Sequence, residues 1–288
     1  MPSGKQAETL KRMAVGRAKT SPLRVLAISS GKGGVGKTNV VTNLAYALSK
    51  RGKKVLIFDA DMGLGNIHIL LGLAPKFNLE QVLSGQKSVE DIIVQGPVGI
   101  EILPASSGVQ ELTQLDHEAR LMIFEEFDRV SENYDFLIFD TGAGISSNVT
   151  YFCSAAHEIL LIATTEPTSL TDVYALMKVL YQKHNQKYFR LIVNSVKSEK
   201  EALEVFRHLA AVTDKFLNHV SVEYLGHILN DANVPKAVRQ QRAFMELYPY
   251  SKVSHCISDL CDKLLKEKAN VSGDEFRPFF WKDAFQVR

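Results

Sequence analysis

The sequence has few cysteines, little net charge and no hydrophobic run long enough to cross a membrane. Its three cysteines, Cys153, Cys256 and Cys261, show no close pairing pattern, which argues against a disulfide framework and is typical of a reducing compartment. The N-terminus lacks the apolar region of a signal peptide. A net charge of +2 gives no global case for nucleic-acid binding. We therefore expect a cytoplasmic protein with no specific nucleic-acid partner.

What the sequence does contain is a regular alternation of apolar segments and helical patterns. With 288 residues and 45% hydrophobic content, the chain can bury one sizeable core. Short apolar runs predict strands at 23–28, 53–58, 99–104, 134–140, 159–163, 189–193 and 222–229. Strands that alternate with helices predict an α/β fold, a mostly parallel β-sheet with helices on both faces.

A glycine-rich loop follows the first predicted strand. Gly31, Gly36, Lys37 and Thr38 fill the phosphate-loop pattern G-x-x-x-x-G-K-[ST]. Glycines let backbone N–H groups converge on phosphate oxygens at a helix N-terminus, Lys37 supplies a cation for the β/γ-phosphates, and the Thr38 hydroxyl can ligate Mg²⁺. The residues expected to bind nucleotide here are Gly33, Gly34, Val35, Gly36, Lys37, Thr38 and Asn39.

The glycine spacing alone also fits a dinucleotide-binding turn. Gly31, Gly33 and Gly36 satisfy G-x-G-x-x-G, and Asp59 lies near the place of a ribose-binding acid. A pyrophosphate turn needs neither a cation nor a metal-binding hydroxyl. The Lys37–Thr38 pair therefore favours a nucleoside triphosphate.

Two predicted strands end in carboxylates. Asp59 and Asp61 follow the second strand, and we expect Asp61 to orient the attacking water while Asp59 supports the metal or the lysine. The alternative is that both merely cap the next helix. Asp140 closes another strand in a Walker B arrangement and is expected to hold Mg²⁺ with Thr38, largely through water; a Gly142 N–H could contact the γ-phosphate.

Asn194 ends a later predicted strand, where its amide could pair with a base edge. An asparagine at a strand end is usually turn chemistry, so this interpretation depends on the rest of the site.

Two segments stand apart from the domain predicted over 23–268. Residues 1–22 form a basic arm, with five basic residues against Glu8. Leu10 and Met13 could give it a small apolar face. It is either a disordered leader or a partner-docking segment, and composition does not choose between them.

The other segment, 269–288, combines a polar linker with a cluster of aromatic residues. A helix over its end would place the bulky apolar side chains together and Lys282 and Arg288 at headgroup level. This predicts an amphipathic membrane-targeting helix, and two such helices in a dimer would bind far better than one. The alternative is a tail that docks on its own core or on a protein partner. The membrane-facing residues would be Phe276, Phe279, Phe280, Trp281 and Phe285.

The loop as a whole resembles the deviant Walker A motif of the MinD/ParA class of P-loop ATPases. Its mark is the extra lysine, Lys32; residues 59–66 and 140–144 resemble the two switch segments, and Asn194 the adenine contact. The resemblance implies ATP and Mg²⁺ as cofactors, slow hydrolysis and an ATP-dependent homodimer in which Lys32 reaches the partner's phosphates. Lys32, Lys37 and Asp61 would then be the catalytic residues.

Within that class the chain resembles the FlhG (FleN/YlxH) family of flagellar-number regulators. Gln6 and Leu10 match part of its D-Q-A-x-x-L-R motif, with Lys5 and Lys11 departing from it, and residues 234–242 and the aromatic tail also fit. The resemblance implies membrane association in the ATP state at the inner face of the cell membrane. The implied partners are an FlhF-type GTPase, which Gln6 would stimulate, the C-ring proteins FliM and FliN, and a flagellar transcription activator.

The same class of ATPases offers three alternative functions. A MinD-type division-site regulator would need a MinC-like partner. A ParA-like DNA or cargo-partitioning ATPase would bind DNA through lysines and arginines, against which the near-neutral charge and the aromatic tail count. A nitrogenase-reductase relative would need paired cysteines for a bridging cluster, which Cys153 does not provide.

Overall fold

The computed structural model describes residues 23–61, 65–104 and 117–267. The predictions for the basic arm, which include Gln6 and Leu10, and for the aromatic tail lie outside the described residues. So does the middle of the first switch segment, residues 62–64.

Eight strands of the described chain form one sheet. Its order is β3-β4-β2-β5-β1-β6-β7-β8, and every neighbouring pair is parallel except β3 with β4. The prediction of a mostly parallel sheet is confirmed. The strands are β1 Arg24–Ser30, β2 Val55–Ala60, β3 Val94–Gln95, β4 Glu101–Leu103, β5 Phe136–Ala143, β6 Glu158–Ala163, β7 Tyr188–Val196 and β8 Ser221–Leu229.

Helices cover both faces of this sheet. The longer ones agree with the alternation of strands and helices that the sequence predicts. The helices are α1 Lys37–Lys50, α2 Ile67–Leu70, α3 Leu79–Leu83, α4 Val89–Ile92, α5 His117–Ser131, α6 Ser147–Ser154, α7 Pro167–His184, α8 Glu199–Phe216, α9 Asn233–Arg239, α10 Phe244–Leu247 and α11 Lys252–Lys266, with a 3-10 turn at Pro97–Gly99.

The alternation of side chains along β1 divides the core into two layers. Val25 and Ala27 face one layer, and Leu26 and Ile28 face the other. The first layer is centred on aromatic rings in edge contact. The ring centroid of Phe58 lies 5.0 Å from that of Phe127 and 5.3 Å from that of Phe152, and Phe139 lies beside them. Burying each such side chain contributes about 1.5–3 kcal/mol. Because both faces are buried, the central strands are continuous apolar runs.

Strand register determines which polar residues meet at the carboxyl edge of the sheet. Ile28 of β1 and Asp59 of β2 both pair with Asp140 of β5. The glycine-rich loop that follows β1 is therefore next to the acids that end β2 and β5. In the described ranges no helix combines the length and apolarity that a membrane span requires.

Candidate nucleotide-binding site

The glycine-rich loop joins β1 to α1 with a geometry that only glycine permits at two points. A Cβ atom on Gly31 would lie 2.1 Å from the backbone carbon of Asp172 in α7, so the loop packs directly on the backbone of that helix. Gly36 precedes α1 with a φ of 88°, in the left-handed region. These two glycines allow the backbone N–H groups of the loop to lie next to those at the N-terminus of α1, as phosphate binding requires.

Lys37 and Asp140 form a buried ion pair at the centre of the site. Lys37 Nζ lies 2.6 Å from Asp140 Oδ1, and the two side chains are only 9% and 2% exposed. The Thr38 side chain lies near Asp140 and, like Lys37, lowers the pKa of that carboxyl against the effect of burial. The structure thus brings together the lysine, the hydroxyl and the Walker B carboxylate that the sequence predicted as phosphate and Mg²⁺ ligands.

Asp59 adds a second buried carboxylate beside Asp140. Its side chain is 1% exposed. Burial, followed by the charge of Asp140, raises the pKa of Asp59 to about 7, although it accepts hydrogen bonds from the backbone N–H groups of Ile67 (3.2 Å) and Asp61 (3.4 Å). Burial also raises the pKa of Asp140, while Lys37 opposes that shift. Two buried carboxylates with one lysine form a site that a hard divalent cation would neutralise.

The two switch segments meet in front of this pair. A Cβ atom on Gly142 would lie 3.6 Å from Asp61 Oδ1. The Gly144 N–H donates to the Ser30 carbonyl at 2.9 Å, which ties the second switch segment to the loop. Asp61 and Gly142 therefore lie side by side, and their roles toward water and the γ-phosphate stay predictions.

Lys32 contacts its own chain. Its Nζ donates to Glu166 and, at 3.1 Å, to Thr168 Oγ1, both at the start of α7. Sequence reasoning did not identify Glu166 as its contact, because the two residues are 134 positions apart. The role of Lys32 across a dimer interface stays a prediction.

A cavity of about 200 Å³, named the base cavity because the predicted base contact Asn194 lines it, lies beside the loop. Gly36, Asn39 and Asn194 form one side of it. The Asn194 Nδ2 atom donates to the Val35 carbonyl at 2.7 Å, so this amide supports the loop as well as facing the cavity. Other parts of the lining come from the end of β8 and from the chain that follows it, which sequence reasoning missed apart from a resemblance over 234–242. They include Ile228, Val234, Pro235, Phe244 and Val253.

Comparison with known proteins agrees with this geometry. Residues 23–193 match the family described as AAA domain (AAA_31). The antiactivator FleN of Pseudomonas aeruginosa is 43% identical over 243 residues, which is 84% of this chain and 86% of that protein. The flagellum site-determining protein YlxH of Helicobacter pylori is 32% identical over 85% of this chain and 82% of its own length.

The chain belongs to the FleN/YlxH branch of the MinD/ParA class of P-loop ATPases. As a member of that class it is an ATPase. The MinD subunit in the MinC:MinD cell division protein complex of Aquifex aeolicus superposes with a TM-score of 0.70 at 27% identity, over 85% of this chain and 96% of that one. MinD of Pyrococcus horikoshii, solved with Mg-ADP, gives a TM-score of 0.66 at 25% identity over 84% and 96% of the two chains.

Proposed function

We propose that this protein is an ATP-driven switch that dimerises with ATP and Mg²⁺ bound, associates with the inner face of the cell membrane and regulates the number or placement of flagella. One observation carries the proposal: the buried Lys37–Asp140 pair, 2.6 Å long, lies next to a second buried carboxylate, Asp59, on the neighbouring strand β2. Such a site is completed by Mg-nucleotide and is reset by hydrolysis.

The proposed catalytic roles follow from the positions of the side chains. Lys37 would bind the β/γ-phosphates, Thr38 and Asp140 would hold Mg²⁺, and Asp61, next to Gly142, would orient water. Lys32 would leave Glu166 and contact the phosphates of the second protomer. The Lys32–Glu166 pair is exposed, with 29% and 63% of the side-chain surfaces accessible, so breaking it costs little.

The dimer is tested through Lys32. We expect specific ATPase activity to rise with protein concentration, and Lys32→Ala to lower the rate at least 100-fold while retaining Mg-ADP binding. Lys178→Ala, which removes an exposed lysine of α7, is the matched control. A Lys32→Ala protein with wild-type activity, or a rate independent of concentration, would refute the dimer.

The membrane step is tested by co-sedimentation with anionic liposomes. In an Asp61→Ala background, which should retain ATP, the intact chain is expected to pellet with ATP and not with ADP. Trp281→Ala, or a chain ending at Ala269, should abolish pelleting. Tyr250→Ala is the control, because Tyr250 is 89% exposed on the described domain. If the intact chain did not pellet, the membrane step would be wrong and the tail would be assigned to protein docking. The ATPase activity would not be affected by that result.

The flagellar role draws its support from FleN and YlxH, whose names describe an antiactivator and a flagellum site-determining protein. Deleting the gene is expected to change flagella per cell, counted by electron microscopy, with rescue by the wild-type gene and not by Lys37→Ala. The proposed partners, an FlhF-type GTPase that binds through Gln6 and Leu10, FliM, FliN and a transcription activator, are testable by pull-down with a Gln6→Ala control.

A second candidate is a MinD-type division-site regulator. It is favoured by MinD of Bacillus subtilis, 26% identical over 84% of this chain, and by the likeness to the MinC:MinD complex. The same deletion separates the two functions, because minicells with unchanged flagella would indicate division-site control. Steeply salt-dependent DNA binding would instead indicate a ParA-like role.

A further inference from the structure

The short helix α2 is held at its start by a carboxylate of the nucleotide site and near its end by a residue distant in the sequence. At its start, the Ile67 N–H donates to Asp59 Oδ2 at 3.2 Å. Near its end, the Ile69 carbonyl accepts a hydrogen bond from Gln241 Nε2 at 3.0 Å. Asp59 lies near the end of β2 beside Asp140, whereas Gln241 lies 172 positions after Ile69 in the chain. This helix therefore joins the buried carboxylates to a distant segment.

Gln241 occupies a conformation that is costly for its residue type. Its φ is 53°, in the left-handed region, where a residue with a side chain is strained by on the order of 1 kcal/mol. The residue also packs closely on the turn after α2, because a Cβ on Gly72 would lie 3.4 Å from both Gln241 Cβ and its carbonyl oxygen. Strain of this kind persists where the surroundings fix the side chain.

The segment that carries Gln241 also forms one side of the base cavity. Val234 and Pro235 of α9 and Phe244 of α10 line the cavity, and Gln241 lies between the two helices. The segment is fixed to α1, since the Met245 N–H donates to Asn43 Oδ1 at 2.9 Å. Asn43 Nδ2 in turn donates to the carbonyl of Asn39, another residue of the cavity, at 2.8 Å.

We propose that Gln241 is a positioning residue that transmits occupancy of the base cavity to α2, and through Asp59 to the carboxylates that handle Mg²⁺ and water. A base that packs against Val234, Pro235 and Phe244 orders the α9–α10 segment. That order holds the Gln241 amide against Ile69 and keeps α2 on Asp59. The inference rests on the proposed function, and it adds that the adenine base, as well as the phosphates, sets the geometry of the first switch segment.

Hydrogen exchange of the α2 amides measures this coupling directly. The N–H groups of Leu70, Leu71 and Leu73 are bonded within the α2 turn, so their exchange reports its order. In the wild-type chain, Mg-ADP is expected to slow exchange over 65–73 and over the loop at 31–38. Pyrophosphate with Mg²⁺, which has no base, is expected to protect the loop and leave 65–73 about fivefold less protected.

Gln241→Gly removes the amide without left-handed strain, and Gln241→Ala is the second variant. Both are expected to lose the ADP-dependent protection of 65–73, to lower kcat about fivefold and to keep the Mg-ADP Kd within about threefold. Gln240→Ala is the matched control, because the side chain of the neighbouring Gln240 donates to Tyr248 Oη at 3.4 Å rather than to α2.

Two results would overturn the proposal. One is equal protection of 65–73 by ADP and pyrophosphate in the wild-type chain; the other is undiminished protection by ADP in both Gln241 variants. A wild-type loop that ADP does not protect at all would instead count against the proposed nucleotide site. Failure of the coupling and failure of the function therefore give different exchange patterns.

Discussion

Buried charge lies at both edges of the sheet, and the two clusters are compensated differently. At the amino edge, Glu158 is paired with both Arg24 and Arg190. At the carboxyl edge, Lys37 pairs with Asp140, and the pKa of the neighbouring Asp59 is raised to about 7. Each carboxylate of the first cluster is paired with an arginine, whereas in the second cluster Asp140 has a cation partner and Asp59 has none among the described residues.

The amino-edge cluster fastens the two ends of the described domain together. Arg190 Nη1 lies 3.1 Å from Glu158 Oε2, and Arg190 also pairs with Glu267, the last described residue. The Arg190 Nε atom lies 3.1 Å from Glu223 Oε2. These two atoms form an ion pair, but their geometry is not that of a hydrogen bond. Arg24, at the start of β1, donates to the Glu267 carbonyl at 3.2 Å. We interpret this edge as structural and the carboxyl edge as the one completed by a ligand.

The largest effect is expected from breaking the amino-edge cluster. Glu158→Gln leaves two mostly buried guanidinium groups without their shared carboxylate, so urea unfolding should show a loss of about 3–5 kcal/mol. ATPase activity per folded molecule should be unchanged. Glu132→Gln, at an exposed position, is the control. A loss of activity without a loss of stability would mean that the amino edge acts in catalysis.

The opposite pattern is expected at the carboxyl edge. Asp61→Ala should lower kcat roughly 100-fold, equivalent to about 2.7 kcal/mol of activation free energy, because it removes the carboxylate expected to orient water. The midpoint of urea unfolding should shift little, since the Asp61 side chain is only partly buried. Wild-type turnover by Asp61→Ala would show that another residue orients the water.

Ligand binding should stabilise the protein through the carboxyl edge alone. At about 100 times its Kd, Mg-ADP should raise the free energy of unfolding by about 2.7 kcal/mol, in Glu158→Gln as in the wild-type chain. At the same concentrations, chelation of Mg²⁺ or the change Asp140→Asn should reduce that increment. Equal increments with and without Mg²⁺ would contradict metal binding at Asp140.

The smallest effect concerns a histidine of the amino edge. Burial lowers the pKa of His157 to about 4, and its Nδ1 accepts a hydrogen bond from the Val25 N–H at 2.9 Å. The unfolded chain takes up this proton near pH 6.5, so the contribution is present above that pH and is lost as the pH falls toward 4. We expect His157→Asn to remove about 2 kcal/mol of the stability difference between pH 7 and 4.5, measured by urea unfolding. The same pH dependence in variant and wild type would assign that loss to carboxylates.

The sequence alone determined the fold class, the long helices, seven of the strands and the loop that binds phosphate. Apolar runs bounded by Gly31 and by Asp59 or Asp140 mark strand ends locally, and a glycine–lysine–threonine loop has few other uses. Short helices such as α2 and α9 carry no periodic pattern. They form because neighbouring elements hold them, so propensity could not predict them.

Only the tertiary structure decided which distant residues meet. Register set Asp59 beside Asp140, and the packing of helices brought Glu166 to Lys32 and Gln241 to Ile69. The charge state of each edge was likewise invisible in the sequence, because a pKa depends on burial and on neighbours that are distant in the sequence, as Asp140 is from Asp59. The local sequence thus identified the phosphate-binding loop and its acids, whereas long-range packing determined their contacts and their charge states.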